Sequence, residues 1–283
     1  MRARAWPTAA AVLALAGCLL AGCSSGQASA PAEGDDGADR SDMPPIHVVQ
    51  EHWQVLKGQP ARESAYRQAL ASCQAHNPGA TVPLPGDIAG KLGHKRVEYW
   101  AQGSRQATRE ENWDWEFDHG RGCRFKPVRE AQLALDDGHT LLLIDLDKHT
   151  AEREPSEPPA PGAPIDDEAI ADAARDGLRY LGKQSAAGQP CRAWEAGPQR
   201  PDAGYRTCYW AGGERWGIGG IGVEDDDSSD PFVLWSRPAD GRSGWVYQVK
   251  SMTVGEPIDQ DVFSPPSGIR IADSDPDATS PNG

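Results

Sequence analysis

Residues 113–126 read Trp-Asp-Trp-Glu-Phe-Asp-His-Gly-Arg-Gly-Cys-Arg-Phe-Lys, and this stretch decides the fold class. Large apolar side chains alternate with charged ones on both sides of a glycine-rich centre: Trp113, Trp115 and Phe117 before it, Cys123 and Phe125 after it. A period of two is typical of a strand with one buried face, and the centre at 118–122 is typical of a hairpin turn. The stretch therefore predicts two antiparallel strands.

Further strands are predicted on both sides of this hairpin. Val97, Tyr99 and Ala101 alternate with polar neighbours, and residues 141–146 form a more continuously apolar run. Clusters of Gly, Pro and Asp separate four more short apolar segments in the second half of the chain. These segments are residues 192–195, 205–210, 232–236 and 245–254. The pattern favours an antiparallel meander in each half.

Helical spacing precedes each meander. Residues 46–77 follow a helical pattern that is broken at Gly58-Gln59-Pro60, and the second piece, 62–76, aligns Tyr66, Leu70 and Cys73 on one stripe. A later helix is predicted to begin at Asp166 or Asp167 and to end at Gly182. Its buried face would carry Ile170, Ala174, Leu178 and Leu181.

The N-terminus has the features of an export signal. Arg2 and Arg4 precede an apolar run, 9–20, that is too short to span a bilayer. Leu20-Ala21-Gly22-Cys23 resembles the lipobox of bacterial lipoproteins, which implies cleavage between Gly22 and Cys23 and transfer of a diacylglycerol to the Cys23 thiol. The alternatives are an ordinary thiol behind an ordinary signal and a segment that is retained as a membrane anchor.

Composition divides the chain into six segments. Residues 23–45 are rich in Ser, Gly, Ala, Pro and Asp and nearly free of large apolar side chains, which predicts a flexible tether. A proline-rich stretch separates two halves that each run from helix to meander. The predicted segments are a signal peptide (1–22), the tether (23–45), a first half (46–153), a linker or loop (154–165), a second half (166–271) and a disordered tail (272–283).

Four cysteines remain once Cys18 leaves with the signal and Cys23 is lipidated. An even number in an exported chain indicates two disulfides, for which three pairings are possible. We favour the pairs that stay within each half, Cys73 with Cys123 and Cys191 with Cys208. Metal binding is the alternative, but the sequence contains no C-x-x-C motif and no histidine at ligand spacing from a cysteine pair.

Charge excludes several partners. The chain has 28 Lys and Arg against 42 Asp and Glu, a formal net charge of −14 at pH 7. So acidic a protein is a poor ligand for nucleic acid or for anionic lipid headgroups. Attachment to a membrane would therefore depend on the acyl chains at the N-terminus.

Three segments resemble LolA-like envelope proteins, a group of lipoprotein carriers and their relatives. Residues 181–194 (Leu-Gly-Lys-Gln-Ser-Ala-Ala-Gly-Gln-Pro-Cys-Arg-Ala-Trp) are similar to a glycine- and cysteine-containing segment of that group. Residues 258–271 resemble its closing strand, and residues 142–148 resemble a strand in the middle of its sheet. The clear similarity covers residues 178–271.

This resemblance implies an α+β fold in which a curved antiparallel sheet, a half-barrel, has helices packed on its concave face. It further implies an apolar cavity that holds an acyl chain, a lipid or a lipidated partner. The aromatic residues of 113–125 and 232–247 would line that concave side or contact its helices. We therefore expect a non-enzymatic, lipid-anchored envelope protein that needs no cofactor.

Motifs of catalysis are missing from the sequence, which contains no G-x-S-x-G, H-E-x-x-H or P-loop. The glycines at 217, 219, 220 and 222 favour a weakened strand or hairpin over a dinucleotide loop. The acidic run 224–230 has oxygen ligands for calcium, with Asp225, Asp227 and Asp230 as weak candidates, but it lacks the EF-hand spacing and favours a solvated loop. The seven histidines are scattered: His47, His52, His76, His94, His119, His139 and His149.

Three functions stay open from the sequence. The tryptophans favour core packing, with a hydrophobic or carbohydrate-binding surface as the alternative. Besides the lipid-binding hypothesis, the chain fits an interaction lipoprotein with a filled core, or an anchored hydrolase that a histidine bonded to a Ser or carboxylate in a cleft would favour. Ser24 after the lipobox cysteine favours the outer membrane in an organism with two membranes, by resemblance to the usual sorting rule.

Overall fold

The chain forms one extended β-sheet. A computed structural model describes residues 42–77, 79–118, 123–156, 171, 173–213, 216, 218, 232–239 and 241–272. Outside these residues lie the signal peptide, Cys23 and Ser24, residues 25–41 of the tether, 119–122 of the hairpin turn, 157–165 of the proline-rich linker, 166–170 of the helix predicted to begin at Asp166 or Asp167, and 273–283 of the tail. So do the acidic run with Asp225, Asp227 and Asp230, and most of the glycine run.

Fourteen strands and two helices lie wholly within the described residues. They are β1 (Ile46–Leu56), β2 (Gln59–Pro60), α1 (Ala61–His76), β3 (Thr81–Val82), α2 (Gly86–Ala89), β4 (His94–Gln102), β5 (Arg105–Asp118), β6 (Cys123–Asp136), β7 (Thr140–Asp145), β8 (Thr150–Pro155), β9 (Leu178–Ala186), β10 (Gln189–Ala196), β11 (Tyr205–Trp210), β12 (Val233–Pro238), β13 (Gly244–Val254) and β14 (Arg270–Ala272), with a 3-10 turn at Gln260–Phe263. Among the described residues, none of the helices has both the length and the hydropathy of a transmembrane span.

The strands are ordered β14-β8-β7-β6-β5-β4-β1-β13-β12-β11-β10-β9, and β2 and β3 pair with β1 and β6. Neighbouring strands run antiparallel except at β14–β8 and β3–β6, which are parallel. The predicted 113–126 hairpin is confirmed as β5 and β6, which stay in register from Gln106–Asp136 to Asp118–Arg124. The strands predicted in the second half are also confirmed.

The α+β half-barrel with helices on a concave face is wrong, because the described chain is mostly one large mixed sheet of 14 strands, and residues predicted as helix belong to it. Residues 46–56 form β1, which lies between β4 and β13 and is hydrogen-bonded on both edges. A strand in the middle of a sheet is buried without regular alternation, so its apolar spacing can mimic a helix. The β-branched residues Ile46, Val48 and Val49 favour the strand.

The helix that the sequence predicts from Asp166 or Asp167 to Gly182 ends earlier than predicted. Residues 171 and 173–175 are helical, and Gly177 at φ 84° ends the turn in the left-handed region that glycine adopts readily. Leu178 and Leu181, predicted on the helix, belong to β9, which pairs with β10. The helix predicted at 62–76 is confirmed as α1, with Tyr66 and Cys73 buried.

Apolar residues cover both faces of the sheet. On the face that carries Ile46 and Val48 of β1, the front face, they join residues of β10 to β13 in a cluster that includes Trp210 and Phe232. On the back face, α1 covers an aromatic cluster around Tyr66 and Phe125. The C-terminal segment covers a second back-face cluster, which consists of Ala107, Leu133, Leu135, Leu142, Ile144 and Ala151 with Phe263 and Ile269 packed on it.

Candidate binding site

A cleft of about 650 Å³ opens between β1, β12, β13 and the turn from β9 to β10. We call it the apolar cleft. Val55, Leu234 and Val249 are buried in its wall, at 8%, 0% and 5% exposure. Its other apolar lining residues are Trp53, Pro60, Ala186, Ala187, Trp235 and Val246, and its polar ones include Gln184, Ser236, Arg237, Tyr247 and Gln248.

A cationic side chain lies over the ring of each of the two tryptophans in this lining. Lys250 Nζ lies 5.3 Å from the ring centroid of Trp53, and the guanidinium carbon of Arg237 lies 5.1 Å from that of Trp235. Both distances are typical of cation–π contacts. The cleft therefore combines apolar walls with positive charge beside its aromatic rings.

A row of charged side chains crosses the back face between the two back-face clusters. Along β5, the side chains of that face change from aromatic at Trp115 to charged at Glu111 and Arg109 and to apolar at Ala107. We call this row the charged belt, and it consists of Glu51, His94, Arg96, Glu98, Arg109, Glu111, Arg129 and Lys250. Part of it lines a hollow of about 430 Å³, whose wall also includes Lys91 and Trp113.

Glu111 anchors one end of the charged belt. Its Oε1 accepts hydrogen bonds from Nε and Nη2 of Arg109, at 3.1 and 2.6 Å, and from Nη2 of Arg129, at 2.9 Å. Burial alone would raise the pKa of Glu111, but the hydrogen bonds from Arg129 and Arg109 outweigh it and leave the pKa lowered. The carboxylate is therefore ionised and fixes both guanidinium groups.

The other end of the belt carries two His–carboxylate pairs. His47 Nε2 lies 3.0 Å from Oε1 of Glu98, and His94 Nδ1 lies 3.8 Å from Oε2 of Glu51. Burial lowers the pKa of His94 although Glu51 opposes the shift. The ring of His94 also stacks on Trp53, with centroids 5.2 Å apart, so that the belt and the apolar cleft meet there.

The histidine–carboxylate contact is the feature that would favour a hydrolase, and His47 makes such a contact with Glu98. The described residues that line the hollow include no Ser, Thr or Cys, so a nucleophile among them would be a lysine, a carboxylate or a histidine. Charged side chains make up most of this lining.

The remaining histidines of the described part do not join this site. His52 is buried on the front face, and His76 is exposed at the end of α1. His139 precedes β7 and His149 precedes β8, both next to turns, while His119 lies outside the described residues. The charged belt was not predicted from the sequence, although Arg109 and Glu111 alternate in step with Trp113 and Trp115 and so share their face of the strand.

The cysteines pair as favoured from the sequence. Cys73 of α1 is bonded to Cys123 of β6, and Cys191 of β10 is bonded to Cys208 of β11. The first bond ties α1 to the back face, and the second joins neighbouring strands within the front-face cluster. Two disulfides indicate an oxidising, extracytoplasmic compartment.

Comparisons with known proteins leave the family open. The sequence matches no protein-family profile and no curated protein. The structure is similar to an uncharacterized conserved protein from Thermus thermophilus (7% identity, 84% of this chain and 96% of that one, TM-score 0.37) and to PNGF-II (8%, 82% and 31%, 0.35). It is also similar to a chain of the Pseudomonas aeruginosa MucA/MucB complex (11%, 83% and 60%, 0.33). At these TM-scores none of the three assigns a fold family or a function.

Proposed function

We propose that this chain is a lipid-anchored, extracytoplasmic binding protein without enzymatic activity. Its ligand is an acyl chain, of a free lipid or of a lipidated partner, held in the apolar cleft. The observation that carries the proposal is the cleft lined by Trp53, Val55, Trp235 and Val246. Its volume of about 650 Å³ lies within the range of small-molecule sites.

The chemistry of the cleft suits a hydrocarbon chain. Burial of apolar surface contributes roughly 25 cal/mol per Å², and such contacts need few polar partners. The indole rings supply large, rigid apolar walls. Lys250 and Arg237, which lie over these rings, can accommodate a polar or anionic end of the ligand outside the apolar part.

The anchor is the N-terminal part of the proposal. Cleavage between Gly22 and Cys23 and acylation of Cys23 would hold the protein at the outer face of a membrane, the outer membrane in an organism with two. Mass spectrometry of the N-terminal peptide tests this directly: a diacylglyceryl mass on Cys23 is expected, and a free thiol contradicts it. Replacement Cys23→Ser should abolish the modification.

Native mass spectrometry tests the ligand. The Cys23→Ser protein is exported through an ordinary signal, purified as a soluble species, and measured before and after incubation with lipid vesicles; a parallel sample is extracted with organic solvent. A bound mass of a few hundred daltons that extracts as lipid is the expected result. A clean apo mass in both measurements contradicts the proposal and leaves an interaction lipoprotein with a filled core.

A matched pair of tryptophan variants locates the ligand. Trp235→Ala removes a wall of the apolar cleft, whereas Trp245→Ala removes a 47% exposed tryptophan that is not part of its lining. We expect the bound mass to be lost or reduced several-fold only in Trp235→Ala. An equal loss in both variants would place the lipid elsewhere on the protein.

A further inference from the structure

In the charged belt the carboxylates are more buried than the cations. The side chains of Glu111 and Glu98 are 18% and 22% exposed, whereas those of Arg109 and Arg96 are 44% and 47% exposed. The outer surface of the belt is therefore positive, although the whole chain has a net charge of −14. A carboxylate that approaches this surface meets guanidinium groups first.

Hydrogen bonds hold the guanidinium groups in place and leave some of their N–H donors unused. Arginine has five N–H donors, and among the described residues the hydrogen bonds of Arg109 go to Glu111 alone and use two of them. Arg129 bonds the same oxygen of Glu111 and reaches Asp147 at 3.4 Å. Because the buried carboxylate has already fixed the two side chains, less side-chain entropy is lost when they bind an anion.

Lys91 enlarges this positive end. Its Nζ lies 4.9 Å from the ring centroid of Trp113, and the guanidinium carbon of Arg129 lies 5.6 Å from the same centroid. Lys91 and Arg129 therefore contact Trp113, while Arg109 and Arg129 bind Glu111. The indole ring adds an apolar surface on which the aliphatic part of a ligand can rest.

The belt is much longer than a single anion. Its cations lie on β13 (Lys250), β4 (Arg96), β5 (Arg109) and β6 (Arg129), and β1 lies between the first two. Four strand spacings of about 4.8 Å give a span of roughly 19 Å, the length of about six residues of extended chain. A free phosphate or one headgroup would contact only a part of it.

We propose that the charged belt is a second binding site, which takes an extended acidic peptide segment of a partner protein. The segment would lie across the strands, with carboxylates on alternate residues reaching Arg96, Arg109 and Arg129. Alternate side chains of an extended peptide are about 6.6 Å apart, which lies between one strand spacing of about 4.8 Å and two of about 9.6 Å, and the long arginine side chains can adjust to this difference. Arg96, Arg109 and Arg129 are not part of the lining of the apolar cleft, so peptide binding does not require the acyl chain.

Fluorescence anisotropy tests the site with a defined probe. The probe is a fluorescein-labelled octapeptide of alternating Glu and Ala, and the control probe has Gln in place of Glu. We expect the acidic probe to bind and the neutral one to bind at least about tenfold more weakly. Because the net charge of −14 repels acidic peptides in general, binding of the acidic probe is strong evidence for the belt.

Two variants and one control separate the belt from the rest of the sheet. The double variant Arg109→Gln/Arg129→Gln should weaken the probe about tenfold or more, because it removes charge-assisted hydrogen bonds. Arg105→Gln is the matched control: Arg105 lies on the same strand and face but contacts Phe263 and Gln260 outside the belt. The affinity of the Arg105→Gln variant for the acidic probe should stay within about twofold of that of the parent protein.

Glu98→Gln gives a result of opposite sign. It removes a carboxylate that competes for Arg96, so the probe should bind about threefold more tightly, a gain that misfolding cannot produce. No binding of the acidic probe, or unchanged binding by the double variant, overturns the proposal. The proposal is also overturned if the protein binds phosphatidylglycerol vesicles through Arg109 and Arg129 but does not bind the peptide. The charged belt would then be a contact for a lipid surface. Retained peptide binding in Trp235→Ala distinguishes this site from the apolar cleft.

Discussion

His52 and Gln50 form a buried hydrogen bond in which Nε2 of the imidazole lies 2.9 Å from Oε1 of the amide. The amide nitrogen of Gln50 donates onward to the carbonyl of Val233, also at 2.9 Å. This contact reaches from β1 across β13 to β12, because β13 lies between those two strands. Gln50 and His52 are almost fully buried, at 1% and 3% exposure, so this hydrogen-bonded pair links β1 to β12 inside the protein.

This pair predicts that acid destabilises the protein. Burial, with a contribution from Lys95, lowers the pKa of His52 to about 3. The unfolded chain therefore binds one proton more than the folded one between the ordinary pKa of histidine and pH 3, and stability is lost as the pH falls through that window. At pH 5 the loss amounts to about 2 kcal/mol.

Urea unfolding at pH 7.5, 6 and 5 measures this loss. His52→Gln keeps a neutral side chain and should make the unfolding free energy less dependent on pH, whereas exposed His76→Gln should leave the dependence as it is. The lowered pKa of His94 acts in the same direction, so part of the slope remains in His52→Gln. An unchanged slope in His52→Gln would contradict the argument.

The local parts of the fold could be predicted from the sequence because their signals are local. The alternation at 113–125 needs only one buried face, and β5 and β6 have one, under α1. The stripe of Tyr66, Leu70 and Cys73 likewise reflects a helix with a single buried side. The cysteine pairing followed the same logic, since each bond joins elements within one half of the chain.

The features that were predicted wrongly or not at all depend on contacts with residues far along the chain. β1 reads as a helix until its two neighbours are known, and one of them, β13, lies about 200 residues further on. The charged belt draws its side chains from five strands, so no single segment of sequence shows it. The alternation along β5 shows in the sequence that Arg109 and Glu111 share a face. The sequence does not show that α1 and the C-terminal segment cover the clusters on either side and so leave the charged belt in a hollow.

Gly93 is predicted to be sensitive to substitution. It has φ +73°, and a Cβ added there would clash with Cβ of Arg62, which lies in the first turn of α1. Gly93→Ala should lower the unfolding free energy by about 3 kcal/mol, from backbone strain and displacement of the helix together. Thermal or urea unfolding measures the change.

Gly103 provides the matched control. It also has a positive φ, +59°, but nothing lies within 4 Å of an added Cβ. Gly103→Ala should therefore lose only the strain component, about 1 kcal/mol. Equal effects of the two substitutions would show that Arg62 moves aside freely.

Tyr66 joins α1 to the chain that follows it through one hydrogen bond. The amide of Leu84 donates to its hydroxyl at 2.8 Å, and both residues are buried. Tyr66→Phe keeps the ring contact with Phe125 but leaves that amide unpaired, which should lower the unfolding free energy by about 1 to 2 kcal/mol. Tyr180→Phe is the control, since the described residues offer the Tyr180 hydroxyl no partner; a loss there as large as in Tyr66→Phe would contradict the assignment.

The two disulfides should differ in their contribution to stability because they close loops of different length. Cys73–Cys123 spans 50 residues and Cys191–Cys208 spans 17. On the loop-entropy model, removal of the first costs about 4 kcal/mol and removal of the second about 3 kcal/mol. Urea unfolding of Cys73→Ser/Cys123→Ser and of Cys191→Ser/Cys208→Ser measures both values.

The packing around each bond predicts a further difference between these variants. Cys73–Cys123 fixes α1 on the back face, beside Tyr66 and Phe125, whereas Cys191 and Cys208 already lie on strands that are hydrogen-bonded to each other. Loss of the first bond should therefore expose the amides of α1 to hydrogen exchange before those of β5, while loss of the second should leave exchange in β10 and β11 coupled. If α1 stays as protected as β5 in Cys73→Ser/Cys123→Ser, the aromatic cluster alone holds the helix in place.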